Sequence, residues 1–412
     1  MRLYYRDQLF DAQLLRTVGH SCYGGADIAE CLATARRIRE TNTSEWFTAW
    51  MALADRVRAD AERSLRDGHT VSAREGLLRA SNYYRNAYIF LFGLFGEQVN
   101  VELPRAYELH RQSFRQAAAL MGSPVEEVRI PYEQTSLRGY FLRAGSGDVP
   151  RSTLILNGGY DSTAEECYFW NAVAALRRGY HCLIFDGPGQ GSALIEDGLK
   201  FRPDWEAVIR PVVDWLLRQP LVDSRRIGLI GLSFGGYLTL RAASGEPRIA
   251  ACVADPGQFS LLEIFQARIP AFMAKDLPEP RGVSGALLRR MMYSRLKKPT
   301  AGWGLRRGLW VHGAASIEEY LRLAAGYTLA GRVEQIQCPT LVCFAEDDDI
   351  AVSARRIYDA LTCEKEFLSF HGNEGAGEHC EAGARLLFHQ RAFDWLDKRL
   401  QRTVLGEATM DS

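Results

Sequence analysis

Residues Ile227 to Gly236 read Ile-Gly-Leu-Ile-Gly-Leu-Ser-Phe-Gly-Gly, an apolar run that ends in Gly231-Leu232-Ser233-Phe234-Gly235. This G-x-S-x-G spacing fits a strand that turns sharply into a helix. The turn holds its serine in a strained backbone conformation, and the flanking glycines remove the Cβ atoms that would collide there. Ile227, Leu229 and Ile230 supply the strand before it. Tyr237 to Ala243 supplies helix-compatible sequence after it. The arrangement nominates Ser233 as a nucleophile and requires a fold in which strands feed helices, which constrains the rest of the chain.

The rest of the sequence supports that requirement. From Val125 the apolar period shortens to two: Val125 to Ile130 and Leu137 to Leu142 read as a hairpin, and Thr153 to Asn157 as a buried strand entering Gly158-Gly159. Strands and helices then alternate, with strand Cys182 to Phe185, helix Pro203 to Gln219, strand Ile227 to Gly231, helix Gly236 to Gly245 and strand Ala250 to Ala254. Strands Thr340 to Ala345 and Glu366 to His371 and helix Arg385 to Leu400 complete the series. This alternation predicts a mostly parallel, doubly wound sheet with helices on both faces. Residues 1–124 read instead as a helical domain, with apolar residues three and four apart over Ala26 to Glu40, Trp46 to Asp67, Ser72 to Glu97 and Pro104 to Met121. The second domain is expected over 125–412, with a tail from Thr403 that frays.

Between about 258 and 335 the strand rhythm stops, and an inserted helical lid over the strand ends is expected there. Its stretch from Lys275 to Trp310 is basic and includes Arg289, Arg290, Arg306 and Arg307. A solvated helix face accounts for such a run; an alternative is a dock for an acyl carrier protein. The whole chain balances 50 basic against 50 acidic residues, so no global field favours nucleic acid or an anionic membrane. The sequence opens without a signal-peptide apolar core, and its apolar stretch from Ala87 to Phe95 is far short of the ~20 residues that cross a bilayer. Nine cysteines without C-x-x-C spacing fit a reducing cytoplasm better than a disulfide or zinc framework.

A serine nucleophile needs a base, and the base an orienting acid. Strand Leu341 to Phe344 runs into Glu346-Asp347-Asp348-Asp349, and strand Phe367 to His371 into Gly375-Ala376-Gly377-Glu378-His379. His379 is the expected base, ahead of His371, which sits where the strand stops. Asp347, Asp348 and Asp349 are all candidates for the acid, with Asp255, in Ala254-Asp255-Pro256-Gly257, a further one. The developing oxyanion needs two backbone donors. Phe234 is expected to give one and Gly159 the other, with Tyr160 in reserve.

With these residues in hand, the chain resembles the α/β-hydrolases of the fermentation-respiration switch protein type. Within them it is similar to the branch that contains 2,6-dihydroxypseudooxynicotine hydrolase and the fungal yellowish-green pigment hydrolases. The likeness rests on Gly158 to Thr163, Phe185-Asp186-Gly187-Pro188-Gly189-Gln190-Gly191, Gly231 to Gly236, Ala254 to Gly257, Gly375 to Cys380 and Leu78 to Arg85. It implies an α/β-hydrolase fold and hydrolysis of an activated carbonyl without cofactor or metal. In some members the bond broken is a carbon-carbon bond beside a ketone of a polyketide-like or aryl β-dicarbonyl substrate. Ester or thioester hydrolysis, acyl transfer with cyclisation, and a non-catalytic ligand receptor are the alternatives. The resemblance places the acid three residues after a strand-terminal glycine, here Ala345, which selects Asp348. It points to Glu263 as an auxiliary proton donor, in a stretch whose local sequence diverges, and to Arg79, Tyr83 and Tyr84 as pocket-wall residues. It also implies a homodimer.

Overall fold

The computed structural model describes residues 1–92, 101–275 and 277–400. Its first helix, α1 (Gln8–Gly19), starts where Asp7 accepts hydrogen bonds from the Leu9 and Phe10 amides. The sequence reading begins its helices only at Ala26, so α1 is an addition. The helix expected over Ala26 to Glu40 is shorter, α2 (Ile28–Ala35), capped by Asp27. It is followed by α3 (Thr43–Arg66), capped by Asn42, and α4 (Thr70–Ala87). These last two pack closely: a Cβ on Gly76 would lie 2.7 Å from that of Ala61. The helix expected to run to Glu97 ends at Ala87 in a tight turn over Tyr88–Phe90, and positions 93–97 lie outside the described residues. α5 (Glu102–Ala118) completes the helical region.

One eight-stranded sheet follows: β1 (Val125–Tyr132), β2 (Thr135–Leu142), β3 (Arg151–Asn157), β4 (His181–Phe185), β5 (Val222–Leu232), β6 (Ala251–Asp255), β7 (Thr340–Ala345) and β8 (Lys365–Phe370). Its order is β1-β2-β4-β3-β5-β6-β7-β8. The β1/β2 hairpin joins β4 antiparallel, and the other pairings are parallel. The chain steps from β3 to β4 on one side and returns to β5 on the other. The strand order therefore reverses between β3 and β5, where Asn157 lies beside Gly231. Sheets of this kind open their ligand crevice at such a reversal, outside the carboxyl ends of the strands.

Side chains alternate across the sheet as the strand period requires. Leu154, Leu156 and Ile230 face one core with the short helices α6 (Ala164–Cys167) and α7 (Val173–Leu176) and the last helix. Ile155 and Leu229 face the other, with Trp205 and Leu238. That second core runs without interruption into Trp46, Trp50 and Tyr107 of the helical region. α8 (Gly191–Ile195), α9 (Glu206–Leu216) and α10 (Gly235–Ala243) complete this part of the winding.

Between β6 and β7 the chain inserts α11 (Leu261–Ala267), α12 (Ala271–Ala274), α13 (Gly282–Leu296), α14 (Trp303–His312) and α15 (Ile317–Ala325). The insertion is pinched at its base, where Leu261 N–H donates to Tyr327 O and Leu329 N–H to Phe259 O. It has a small core of its own around Leu288, Met292, Ile317 and Leu321. It also touches the helical region, where Trp303 Nε1–H donates to Ile89 O at 2.9 Å and Thr300 Oγ1 to Asp7 Oδ2 at 2.8 Å. α16 (Ala354–Ala360) and α17 (Arg385–Leu400) close the fold.

Candidate active site

Ser233 sits on the turn between β5 and α10 with φ 61°, a conformation most residues avoid. Added carbons on the motif glycines would clash with backbone: one on Gly231 would lie 2.0 Å from Gly235 O, and one on Gly235 2.6 Å from Asn157 O. The Ser233 N–H is anchored to Asp255 O. Its hydroxyl points to His379, whose Nε2 lies 2.9 Å from Oγ. His379 Nδ1 lies 2.7 Å from Asp348 Oδ2. The acceptor at Asp348 fixes the proton on Nδ1 and leaves Nε2 free to accept from the serine. Crowding by protein disfavours a charged ring, but the charge and hydrogen bond of Asp348, and then the charge of Asp255, outweigh it and hold the His379 pKa above its ordinary value.

The three adjacent aspartates are resolved by burial. Asp348 is buried and also accepts the Ile350 N–H, whereas Asp347 is exposed and Asp349 forms a surface pair with Arg268. His371 is half-exposed beside Glu346.

Two backbone N–H groups beside Ser233 are free. Among the described residues neither Phe234 N–H nor Tyr160 N–H has a protein acceptor. Gly159, expected to be the second donor, gives its N–H to Ser162 Oγ at 2.8 Å, which leaves Tyr160, the residue held in reserve, as the candidate. Gly159 serves clearance: a Cβ there would lie 2.7 Å from that of Ser233. Gln190 and Trp205, which the sequence reading did not single out, hold this loop. Gln190 Nε2 donates to Gly158 O and Gly159 O, and Trp205 Nε1 to Asn157 Oδ1.

The helical region grips the same loop. Arg16 of α1 donates to Asp161 Oδ2 at 2.8 Å and to Glu166, and Arg85 of α4 reaches Asp161 Oδ2 at 3.2 Å and Gln13 Oε1 at 3.1 Å. His20 Nε2 lies 3.3 Å from Glu166. Burial alone would raise the pKa values of Asp161 and Glu166, but the two guanidiniums reverse this and hold both carboxylates ionised. From the insertion, Tyr160 OH is met by His312 Nε2 at 2.7 Å and Tyr320 OH at 2.8 Å, and His312 Nδ1 by Tyr327 OH at 3.0 Å. Burial drives the His312 pKa down to about 3, so this ring is neutral and relays hydrogen bonds between tyrosines. Phe234 packs edge-on against Tyr160 with centroids 5.1 Å apart, which gives the serine an aromatic wall.

Several expected site residues lie elsewhere. Asp255 touches neither histidine; its carboxylate pairs with Arg385 at 3.0 Å. Glu263 is engaged by Arg356, an exposed residue on α16. Arg79 pairs with Glu30, Tyr83 OH donates to Glu30 Oε2, and Tyr84 OH donates to Asp55 Oδ1, so all three belong to the packing of the helical region. These polar partners hold them in place of a pocket. Among the insertion arginines, Arg289 donates to Pro280 O at 2.7 Å and Arg307 is buried. Among the described residues there is no group of three or more His, Cys, Asp or Glu that could hold a metal ion, and no helix is long and apolar enough to cross a membrane.

Comparison with known proteins places this geometry. The alpha/beta hydrolase family pattern matches residues 153–389, more than half of the chain. The protein is a member of the α/β-hydrolase family. The FrsA-like esterase pattern matches residues 30–266, so this likeness includes most of the helical region. Hydrolase acrC of Aspergillus aculeatus is 32% identical over 97% of this chain and 98% of its own. The 20-hydroxy-prefusarin hydrolase FUS2 of Gibberella moniliformis is 32% identical over 98% of this chain and 100% of its own. Among solved structures, 2,6-dihydroxy-pseudo-oxynicotine hydrolase superposes with a TM-score of 0.72, at 24% identity, over 93% of this chain and 95% of its own. The protein is thus a hydrolase whose likeness to whole relatives spans the helical region, the sheet and the insertion.

Proposed function

We propose that the protein is a serine hydrolase that cleaves the carbon-carbon bond beside a ketone in a polyketide-like or aryl β-dicarbonyl substrate. The observation that carries this reading is the hydrogen-bonded line Ser233–His379–Asp348 beside the free N–H groups of Phe234 and Tyr160. Ser233 Oγ attacks the carbonyl carbon while His379 Nε2 takes its proton. The oxyanion forms between the two amides, where preorganised donors stabilise it without reorganisation. Collapse of the tetrahedral intermediate breaks the C–C bond; the electron pair leaves as an enolate, which takes the proton back from His379. Water, deprotonated by His379, then releases the acid from acyl-Ser233. The relative named for 20-hydroxy-prefusarin and the structural neighbour named for 2,6-dihydroxy-pseudo-oxynicotine favour a ketone-bearing substrate over a simple ester.

The test has two stages. Intact-mass spectrometry after fluorophosphonate treatment should show one adduct on the wild type and none on Ser233→Ala. Benzoylacetone incubated in 18O-labelled water should then give a ketone and an acid carrying the label. An adduct that persists in Ser233→Ala would sink the assignment of the nucleophile. A labelled wild type that hydrolyses aryl esters but leaves benzoylacetone and related diketones intact would move the reading to an esterase.

A further inference from the structure

Arg307 is a buried cation without a salt-bridge partner among the described residues. It projects from α14, is 6% exposed, and has no carboxylate within salt-bridge distance among the described residues. Its one protein acceptor is Tyr160 O, reached by Nε at 3.1 Å. Its guanidinium carbon lies 4.9 Å from the centre of the Trp310 ring, a face that attracts a cation but accepts no hydrogen bond. The two Nη groups make no protein hydrogen bond, yet they are not sealed off, because each keeps some accessible surface.

The surroundings sharpen this. Next to the loop that offers Tyr160 N–H, three buried or nearly buried guanidiniums, of Arg16, Arg85 and Arg307, meet only two carboxylates, of Asp161 and Glu166. The carboxylates are taken up by Arg16 and Arg85. The charge of Asp161, beyond salt-bridge distance, and then Tyr88 act electrostatically on Arg307, and Tyr88 has a buried hydroxyl with no partner. Buried charges are normally paired, and buried donors normally find acceptors. Here one buried positive charge has no carboxylate in contact with it and its neighbouring hydroxyl has no partner, and that charge is hydrogen-bonded to the residue that offers the candidate oxyanion donor.

We propose that Arg307 binds a negatively charged oxygen of the substrate, either the enolate that develops on the leaving fragment or a carboxylate that the substrate carries. The inference rests on Ser233 as the nucleophile. It adds the substrate class: an acid, or a compound whose leaving fragment becomes anionic as its C–C bond breaks. A guanidinium fork matches a planar carboxylate or enolate.

Thermal-shift titration tests this on the full chain. Dimedone, ionised at neutral pH, stands for an enolate, with neutral cyclohexanone as its comparator. Benzoylacetate stands for a carboxylate, with its methyl ester as comparator. At least one anion is expected to raise the wild-type melting temperature where its neutral comparator does not, and which of the two does so identifies the source of the charge. Arg307→Met should weaken that anion by about tenfold or more, Arg307→Lys by less, and Tyr88→Phe measurably; should the methionine variant not fold, Arg307→Gln replaces it. Absence of any preference for anions in the wild type overturns the proposal, as does an anion affinity that Arg307→Met or Arg307→Gln leaves intact. Fluorophosphonate labelling of Ser233 is read separately. Anion binding without labelling would end the hydrolytic reading and leave the binding site standing.

Discussion

Replacing Glu381 by Gln should cost almost no stability in acid and add some at neutral pH, and the reason lies beneath the histidine loop. Arg385 Nη1 donates to Asp255 Oδ2 at 3.0 Å, Glu381 Oε2 at 3.1 Å and Cys380 O at 2.8 Å. The side chains of Arg385, Asp255 and Glu381 are at most 2% exposed. One guanidinium cannot balance two buried carboxylates, and Glu381 Oε1 has no donor. A proton on that oxygen resolves both problems, since it removes the surplus charge and gives Asp255 a hydrogen bond. Burial, followed by the charge of Asp255, accordingly holds the Glu381 pKa well above the ordinary carboxylate range.

In the Glu381→Gln variant the new amide would donate where the acid proton does, so at about pH 4, where Glu381 keeps its proton folded or unfolded, stability should change by less than about 1 kcal/mol, and as pH rises the variant should become the more stable protein. Were Glu381 ionised and paired to Arg385, the same change would break a buried ion pair and cost about 3–5 kcal/mol. The sign of the pH dependence gives a second reading. A carboxyl that holds its proton when folded and loses it when unfolded stabilises the fold fully below its unfolded pKa, about 4.3. That contribution is lost as pH rises from there through the folded pKa, at about 1.4 kcal/mol per pH unit. Urea unfolding followed by tryptophan fluorescence, from about pH 5 upward, should show a shallower decline in the Glu381→Gln variant. A loss of about 3 kcal/mol at pH 7, or an unchanged slope, would refute the protonated assignment.

Other variants probe the remaining contacts. Asp348→Asn should slow fluorophosphonate labelling of Ser233 by about 10³–10⁴-fold and shift the acid limb of the residual rate to lower pH, because the charge that raises the His379 pKa is gone; an unmoved limb would discount Asp348. Asp161→Asn leaves Arg16 and Arg85 with Glu166 alone and should destabilise the fold by about 3–5 kcal/mol in urea; a change under about 1 kcal/mol would show the loop is held otherwise. Tyr160→Phe strands His312 Nε2 and the Tyr320 hydroxyl and should lower stability by about 1–3 kcal/mol, and a double-mutant cycle with Tyr320→Phe should recover part of the loss.

The strands were legible because buried parallel strands are short apolar runs bounded by turn residues, as Leu154-Ile155-Leu156 and Leu229-Ile230 illustrate. Ser233 and His379 were legible for a related reason: each lies just past a strand end, where a local motif fixes its place. The choice among three aspartates needed a resemblance, and burial then separated them. α1 escaped because its apolar residues Phe10, Leu14 and Leu15 make a short, weak stripe whose burial depends on distant partners. The sequence favoured Gly159 over Tyr160 as the second amide donor because the Ser162 hydroxyl, which engages the Gly159 N–H, leaves no mark on periodicity. Pairs such as Arg16 with Asp161, 145 residues apart, or Arg385 with Asp255, 130 apart, are written only in the folded chain.

Those distant pairs tie the helical region to the candidate site. The loop from Gly158 to Asp161 carries the candidate donor Tyr160 N–H, and three separate parts of the chain restrain it. Gln190 and Trp205 hold its start from the sheet. Arg16 and Arg85 hold Asp161 from α1 and α4. Arg307, His312 and Tyr320 hold Tyr160 from the insertion. An amide donor stabilises an oxyanion only while its direction is fixed, so small errors in that loop are costly in rate. A chain trimmed to the sheet would keep Ser233, His379 and Asp348 yet lose the arginine partners of Asp161 that aim Tyr160. The same loop also accepts the Arg307 hydrogen bond, so on the proposal above recognition of charge and the aim of the amide donor would meet in a single short segment.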